Sequence, residues 1–419
     1  MQPKRVRFPL LSMVMVLALL LMSIIPSAVA QDEDPIRVGS TLALTGFLSP
    51  TATLHHVAGQ AFVAQLNEQG GLLGRPVEWI VFDDESAPDN AAALYERLIT
   101  EEEVDLLMGP YGTANITAGM NVAARYGMVF PHHTASLTYV YDYEWHFPAW
   151  HIGLNTHITT NEILFDALEN AGMESGTIAI VTNQFPGSLN LAFGNDVLEP
   201  GGAATIAEER GWDVVLEVEF PSGTTDLGPI AAQVRDADPD FLWVGALGAD
   251  GVNLIEAMEA LDYRPNAQFY LWPTPGPLLD LGDLADGAYS VTLFEEHEPF
   301  LSSPGAADMV ELYHAAAEEA GLPASSQIVD VQVSASWAAW QTLVAGVEGT
   351  GSLDQEEIAN YLLENGVDTV IGHLSFDPEQ LNYSEDLTRI KQIQNGHWLV
   401  IWPEEFAAPD AEASYMAGG

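Results

Sequence analysis

The stretch from residue 36 to 84 most constrains what this chain can fold into. A strand-like apolar run at 36–44 leads into a short loop that ends at Gly46. The next segment carries apolar residues at the spacing of one helix face: Leu54, Ala58, Phe62 and Leu66. The pair Gly70-Gly71 ends this helix before a second strand at 77–82. This order predicts an open α/β sheet, in which ligands dock in the loops at the carboxyl ends of the strands.

The same alternation of strand and helix patterns continues along the chain. Further predicted strands lie at 104–108, 128–130, 177–181, 212–220, 241–245, 269–272 and 290–294. Further predicted helices lie at 116–126, 189–210, 227–236, 252–261, 306–320, 327–347 and 353–365. Asn395-Gly396, a strong hairpin signal, separates two final strands. We therefore expect an α/β fold of two doubly wound, Rossmann-like units that share a pattern but not a sequence.

Residues 1–30 have the features of an export signal. The basic residues Lys4, Arg5 and Arg7 precede an almost wholly apolar run, and Ala28-Val29-Ala30 has the small-x-small pattern of a cleavage site. An uncleaved membrane anchor is the alternative, because the run is nearly long enough to span a bilayer. We expect cleavage near Ala30 and a periplasmic or secreted protein. The Ala- and acid-rich tail after Pro403 is expected to be loose.

The charge balance excludes several classes of partner. The 419 residues contain 12 Lys and Arg against 60 Asp and Glu, a net charge of −48, and removal of three signal-peptide bases would make it −51. Such a surface repels nucleic acid and anionic lipid. We interpret the negative charge as favouring solubility in a saline environment outside the cell. A cation-binding surface is the alternative interpretation. The chain has no cysteine, so disulfides and a lipid-bearing cysteine anchor are excluded.

Several short motifs together resemble one known family. They are Leu44-Thr45-Gly46, Gly70-Gly71-x-x-Gly74-Arg75-Pro76, Asp83-Asp84, Gly109 with Gly112-Thr113-Ala114, and Pro131 followed by Thr134. From about Ile36 to Trp402 the chain resembles the type I periplasmic solute-binding proteins, specifically the branched-chain amino acid (Leu/Ile/Val-binding) receptors of ABC transporters. The resemblance implies two lobes joined by three crossover segments, with a ligand held between them by hinge closure.

By this resemblance, lobe one comprises 31–152 plus 295–371, and lobe two comprises 153–294 plus 372–402, followed by the tail 403–419. A membrane permease is the implied partner, the receptor is expected to be a monomer, and no cofactor or metal is expected. The ligand implied by the resemblance is an amino acid or a related carboxylate. The implied ligand-binding residues are Thr45, Gly46, Gly112, Thr113, Ala114, His132, His133, Thr134, Phe185, Leu247 and Thr274.

Thr113 illustrates the physical reason for such a site, because amides at a helix N-terminus bind anions and a hydroxyl adds a donor. A plain N-cap threonine is the alternative. The family's amino acid receptors have a glutamate that pairs with the ligand's ammonium, whereas this chain has Thr274 there. Either another acid such as Asp250 replaces it, or the ligand lacks an α-ammonium and is an amide, urea or aromatic acid. A sensory receptor that feeds a signalling partner is a further alternative.

The remaining motifs favour binding over catalysis. His55-His56 and His132-His133 could form a metal cluster, but their spacing matches no metal motif. The aromatic run from Tyr139 to Trp150 could form a wall for a ring-bearing ligand or pack at the lobe edge. The sequence contains no nucleophile elbow, phosphate loop or dinucleotide fingerprint, so we expect no enzymatic activity.

Overall fold

The computed structural model describes residues 34–134, 137–195, 197, 200–272 and 275–415. The predicted signal peptide, Thr274 and the last four residues lie outside the described residues. From Ile36 onward the described residues form one structural unit.

The described elements alternate between strands and helices along most of the chain. The strands are β1 Ile36–Leu42, β2 Val77–Asp83, β3 Leu106–Leu107, β4 Phe130–His132, β5 His146–Pro148, β6 Thr177–Asn183, β7 Asp213–Phe220, β8 Phe241–Gly245, β9 Ala267–Tyr270, β10 Tyr289–Thr292, β11 Val367–Thr369, β12 Gly372–Leu374, β13 Arg389–Gln394 and β14 His397–Trp402. The α-helices are α1 Ser49–Glu68, α2 Pro88–Thr100, α3 Thr113–Tyr126, α4 Thr156–Asn170, α5 Pro186–Phe193, α6 Ala203–Glu209, α7 Gly228–Ala237, α8 Asp250–Glu259, α9 Pro275–Leu279, α10 Ala306–Glu319, α11 Val331–Thr350 and α12 Gln355–Asn365.

Two sheets organise the molecule. The first has the parallel order β2-β1-β3, and β4 pairs with β5 beside it as a separate parallel ladder. The second has the order β14-β13-β10-β9-β8-β6-β7, in which β6 to β10 run parallel and β13 is antiparallel to both its neighbours. Strand β1 is almost wholly buried, as expected for a parallel strand whose two faces are covered by helices.

The second sheet separates two hydrophobic cores. Ile178 and Ile180 of β6 belong to one core, while Ala179 and Val181 belong to the other. Because successive side chains of a strand point to opposite faces, the two cores lie on opposite sides of the sheet. Helices therefore cover both faces, and the predicted α/β class with doubly wound sheets is confirmed.

The chain returns to the first sheet after the second sheet has begun. Helix α11 packs on α1, where the Phe62 ring lies 5.0 Å from the Trp337 ring and 5.7 Å from the Trp340 ring. Residues of α10, α12 and the β11–β12 hairpin join the same core as α1. This return places the start of α11 beside the loops that follow the first sheet. The lobe boundaries given above remain our proposal.

The single helix predicted over 189–210 is wrong, because the chain forms α5 and α6 instead. Gly194 and Gly202 between them have φ of +77° and +94°. A Cβ on Gly202 would lie 2.4 Å from the backbone nitrogen of Gly194. Only glycine adopts such angles at low cost and allows this close approach, so a continuous helix cannot form here.

The predicted hairpin at Asn395-Gly396 is confirmed. Strands β13 and β14 pair antiparallel, and Asn395 and Gly396 have φ of +54° and +79°. Two positive φ values match the tight turns that suit the twist of a hairpin. The tail that follows, which we expected to be loose, is tied down up to Tyr415. The Glu412 amide donates to Gln394 Oε1 at 2.9 Å, and the Tyr415 hydroxyl donates to the Asp286 carboxylate. Across the described part of the chain, every helix is too short or too polar to cross a bilayer.

Candidate functional site

A cavity lies where the loops at the carboxyl ends of both sheets meet. Its volume, open mouth included, is about 380 Å³. The described residues that line it are Leu48, Tyr111, Gly112, Thr113, Thr134, Trp150, Phe185, Leu247, Trp272 and Gln332. Each except Gln332 follows a strand, and Gln332 lies in the first turn of α11. This is where open α/β folds bind ligands, and the volume suits a small molecule.

The structure brings five of the predicted ligand-binding residues together at this cavity: Gly112, Thr113, Thr134, Phe185 and Leu247. Thr45, Gly46, Ala114, His132 and His133 do not line it. Thr274 lies outside the described residues, although its neighbour Trp272 lines the cavity. The roles of these residues in ligand binding stay predictions.

Thr45 and Gly46 hold the loop after β1 in place. The Thr45 hydroxyl donates to Asp83 Oδ2 at 2.8 Å, and Ser86 Oγ donates to the Thr45 carbonyl at 2.8 Å. The Leu48 amide in turn donates to Ser86 Oγ at 3.2 Å. A Cβ on Gly46 would lie 2.4 Å from Ser86 Oγ, so this close approach requires glycine. The loop thereby places Leu48, rather than Thr45, at the cavity.

His132 and His133 are buried behind the cavity. His132 Nε2 lies 3.0 Å from His146 Nδ1, whose ring it stacks on. The His133 ring stacks on His55 at 4.1 Å. Burial lowers the pKa of His132 and of His133 well below the ordinary value, so both are neutral at pH 7. Within the described residues, no group of three or more His, Cys, Asp and Glu side chains is placed to hold a metal ion.

The cavity also contains residues that were not among the predicted ligand-binding residues: Leu48, Tyr111, Trp150, Trp272 and Gln332. Trp150 ends the aromatic run, and it is the member of the run that lines the cavity. Tyr141 is fully buried, and the Tyr143 hydroxyl donates to the Met128 carbonyl at 2.9 Å. Packing thus explains these two tyrosines. Gln332 carried no sequence signal, because its place depends on how α11 packs on α1.

The N-terminus of α3 supplies positive potential to the cavity. Gly112 caps this 14-residue helix with φ of +91°, and both Gly112 and Thr113 line the cavity. A Cβ on Gly112 would lie 2.9 Å from Leu48 Cδ1, so the loop and the helix end pack closely. The first amides of a helix have no intrahelical acceptors and carry partial positive charge, which favours an anionic ligand group.

Two buried polar atoms of the lining residues have no hydrogen-bond partner within the part of the chain that the structure describes. They are Thr134 Oγ1 and Trp150 Nε1, on side chains whose residues are 8% and 3% exposed. The indole nitrogen is a donor only, and a buried donor without an acceptor costs free energy. Both atoms can be satisfied by a ligand that offers acceptors.

No charged side chain is among the described residues that line the cavity. Asp250, the acid considered as a replacement for the family's glutamate, is not one of them. Its Oδ2 accepts from Asn183 Nδ2 at 2.6 Å and from the Leu247 amide at 3.1 Å. Burial raises the pKa of Asp250. The hydrogen bonds of Asp250 therefore stabilise the loop that contains Leu247.

Two sheets whose strand ends meet at a ligand-sized cavity match the fold of the type I periplasmic binding proteins. Residues 35–394 match the model of the periplasmic binding protein family, and the chain belongs to that family. It is a solute-binding protein of the ABC transporter type, and the predicted lack of enzymatic activity is confirmed by the family. Membership also implies an extracytoplasmic location and a small-molecule ligand.

The chain is similar to several characterised proteins. It is 21% identical to the Leu/Ile/Val-binding protein of Escherichia coli (strain K12), over 84% of this chain and 89% of that protein. A branched-chain amino acid transporter substrate-binding protein from Streptococcus pneumoniae, solved with isoleucine, superposes with a TM-score of 0.68 at 16% identity, covering 87% of this chain and 98% of the other. A solute-binding protein from R. palustris, solved with benzoate, superposes with a TM-score of 0.71 at 18% identity, covering 91% of this chain and 99% of the other. Identities this low show the shared fold.

Proposed function

We propose that this protein captures a small apolar or aromatic carboxylate without an α-ammonium group, as the extracytoplasmic receptor of an ABC importer. The proposal rests on one observation. The cavity combines a helix N-terminus with neutral hydrogen-bond donors, and its described lining has no charged side chain.

The α3 N-terminus supports a carboxylate as the recognised group. Backbone amides and hydroxyls can hold an anion without a basic side chain. Thr134 Oγ1 and Trp150 Nε1, which have no partner among the described residues, offer two further donors. This agrees with the scarcity of bases in the chain.

The rest of the cavity supports an apolar or aromatic body. Tyr111, Trp150, Phe185 and Trp272 line it together with two leucines. Aromatic side chains stack on ligand rings and bury large areas. An α-ammonium would be desolvated here without a carboxylate partner among the described lining residues, and an unpaired buried charge is costly.

The comparisons support two candidate ligand classes. The R. palustris protein holds benzoate, which has a carboxylate and a ring but no ammonium. The S. pneumoniae protein holds isoleucine. A branched-chain amino acid is therefore the second candidate, and the absence of an acidic partner from the described lining favours the first.

In the proposed transport cycle, ligand binding closes the two lobes over the cavity and a membrane permease recognises the closed form. The ligand is released unchanged. An export signal cleaved near Ala30 would deliver the protein as a monomer to the periplasm or exterior.

A thermal-shift screen followed by calorimetry tests this proposal. We expect benzoate or 4-hydroxybenzoate to raise Tm, because a ligand that binds only the folded state stabilises it. Leucine and isoleucine should leave Tm unchanged, and benzamide reports whether the negative charge is needed. A clear Tm increase with leucine, and none with the aromatic acids, would favour the amino acid candidate instead. Small-angle scattering with and without the best ligand should show a smaller radius of gyration on binding.

A further inference from the structure

A histidine behind the cavity contacts the one carboxamide among the described lining residues. His55 lies on α1 and is fully buried, and its Nε2 is 3.0 Å from Oε1 of Gln332. Gln332 is 3% exposed and lines the cavity. The two residues are 277 positions apart, so the packing of α11 on α1 creates this contact.

The surroundings of His55 decide which nitrogen carries its proton. Burial lowers the pKa of His55 to about 3, so the ring is neutral and has one N–H. Nδ1 is buried and has no hydrogen-bond partner among the described residues. A proton on Nδ1 would leave a buried donor unsatisfied, whereas a proton on Nε2 is donated to Gln332 Oε1. The Nε2–H tautomer is therefore favoured.

The ring and the helix end are both held in place. Tyr111 packs on one side of His55 with ring centroids 4.9 Å apart, and His133 stacks on it at 4.1 Å and 16°. The Gln332 amide donates to Asp330 Oδ1 at 3.0 Å, which fixes the backbone at the start of α11. Because the carbonyl oxygen of the Gln332 carboxamide accepts from His55, its NH₂ group remains available to donate to a ligand.

We propose that His55 is a positioning residue, which holds the Gln332 carboxamide with its NH₂ group toward the ligand. Gln332 thereby makes the cavity specific for a ligand with a hydrogen-bond acceptor next to this NH₂ group. This inference rests on the proposed function for its ligand class. A flipped carboxamide would present an acceptor and accommodate an ammonium or amide donor. The fixed orientation selects a carboxylate, carbonyl or ether oxygen instead.

The tautomer can be measured without any ligand. Long-range ¹H–¹⁵N spectra of the signal-free protein labelled at histidine should show His55 neutral with its proton on Nε2, and His55→Gln identifies the signal. A proton on Nδ1 would overturn the inference. This measurement stands even if no tested compound binds, so its failure is separate from that of the proposed function.

Binding measurements then test the two roles, with benzoate as the probe in calorimetry. Gln332→Leu should weaken benzoate affinity about tenfold, because it removes a hydrogen bond to a charged group. Gln332→Glu should weaken it further, since His55 can still donate to the new side chain, but a carboxylate now faces the ligand. His55→Phe should weaken affinity about fivefold by freeing Gln332 to flip, and His55→Gln, which retains a donor of similar reach, should recover most of it.

Gln233→Leu is the matched control, because Gln233 is an exposed glutamine of α7 that does not line the cavity. Its benzoate affinity should equal that of the wild type. Unchanged affinity in Gln332→Leu would overturn the specificity role, and equal affinities of His55→Phe and His55→Gln would overturn the positioning role. If wild type binds neither benzoate nor 4-hydroxybenzoate, the proposed function fails while the tautomer result still tests the orientation.

Discussion

At the scale of single residues, the cavity contains polar atoms whose hydrogen-bonding capacity the described residues leave unsatisfied. Thr134 Oγ1 and Trp150 Nε1 are buried without partners among the described residues, and Thr134 lies two residues after the end of β4. A buried unsatisfied polar group costs about 1–3 kcal/mol. A binding protein can tolerate this cost where a ligand supplies the missing partner. The free energy is then recovered as affinity.

Thr134→Val tests this exchange between stability and affinity. The substitution keeps the shape and removes the unpartnered hydroxyl, so the ligand-free protein should be as stable as wild type or more stable by up to about 1 kcal/mol. Affinity for benzoate, the probe of the proposed function, should fall by about 1 kcal/mol. Thermal melts without ligand and calorimetry with benzoate measure the two effects.

Thr41→Val is the control for the exchange. The Thr41 hydroxyl donates to buried Asp84 Oδ2 at 2.9 Å, and Thr41 does not line the cavity. This variant should lose about 1–3 kcal/mol of stability and keep its affinity. A Thr134→Val protein that loses stability but keeps its affinity would show that the hydroxyl serves the fold.

The site could be predicted in part because strand ends can be read locally. Gly112, Thr113 and Thr134 follow predicted strands, and the strand–loop–helix order alone directs such positions to one edge of a sheet. Gln332 could not be found in this way. Its contact with His55 depends on the packing of two helices that are far apart in the chain.

At the scale of elements, the start of α11 combines a helix cap with a buried charge. Asp330 Oδ1 accepts from the amides of Gln332 and Val333 at 3.0 and 3.3 Å, while Oδ2 has no hydrogen-bond partner in the described residues. Burial raises the pKa of Asp330 to about 6, partly opposed by the charge of Lys391. Lys391 is itself buried, and its Nζ lies 2.6 Å from Glu295 Oε1. The carboxylate of Asp330 is thus costly when ionised.

Asp330→Asn should change how stability depends on pH. Because the folded pKa is higher than the ordinary 3.8, the contribution of Asp330 is fully present below about pH 4 and is lost as pH rises through about 6. Asparagine keeps a capping oxygen and does not ionise. The stability of the variant relative to wild type should therefore increase by roughly 1–3 kcal/mol between pH 4 and pH 7.

Urea unfolding at a series of pH values measures this difference. Asp354→Asn is the matched control, because Asp354 caps α12 through the amides of Glu356 and Glu357 but is exposed to water. It shows what the change from Asp to Asn does at a helix cap that is exposed to water, so the comparison isolates the effect of burial. A relative stability of Asp330→Asn that does not rise between pH 4 and pH 7 would contradict a penalty from the buried charge.

Elements with strong local signals were predictable, and elements set by packing were not. The hairpin at Asn395-Gly396 follows from two residues that accept positive φ. Helix α4 was not predicted, since its polar, β-branched first turn has low helix propensity. Burial of Leu164, Phe165 and Leu168 against the second sheet stabilises it. The break between α5 and α6 depends on a close backbone contact that no local pattern reveals.

At the scale of the whole molecule, excess negative charge opposes the compact state. The chain carries 60 acidic residues against 12 basic ones. Lys391 forms a buried ion pair with Glu295, and Arg210 forms ion pairs with Asp166 and Glu169 at the surface. Most acidic side chains therefore repel one another, because the surface has few basic side chains to neutralise them. Folding gathers these charges together, so repulsion is stronger in the folded state than in the extended chain.

Salt should therefore stabilise the protein at concentrations well below those at which exclusion of salt from the protein surface becomes important. The Debye length falls from about 30 Å at 0.01 M to about 10 Å at 0.1 M, so screening of the exposed acids is largely complete by a few tenths molar. We expect Tm to rise by several degrees over this range and then level, with equal effects of NaCl and KCl. Scanning calorimetry of ligand-free protein at pH 7.5 measures the profile. A Tm that stays flat below about 0.3 M and rises only with molar salt would point to preferential exclusion of salt from the surface, and the repulsion argument would then be wrong.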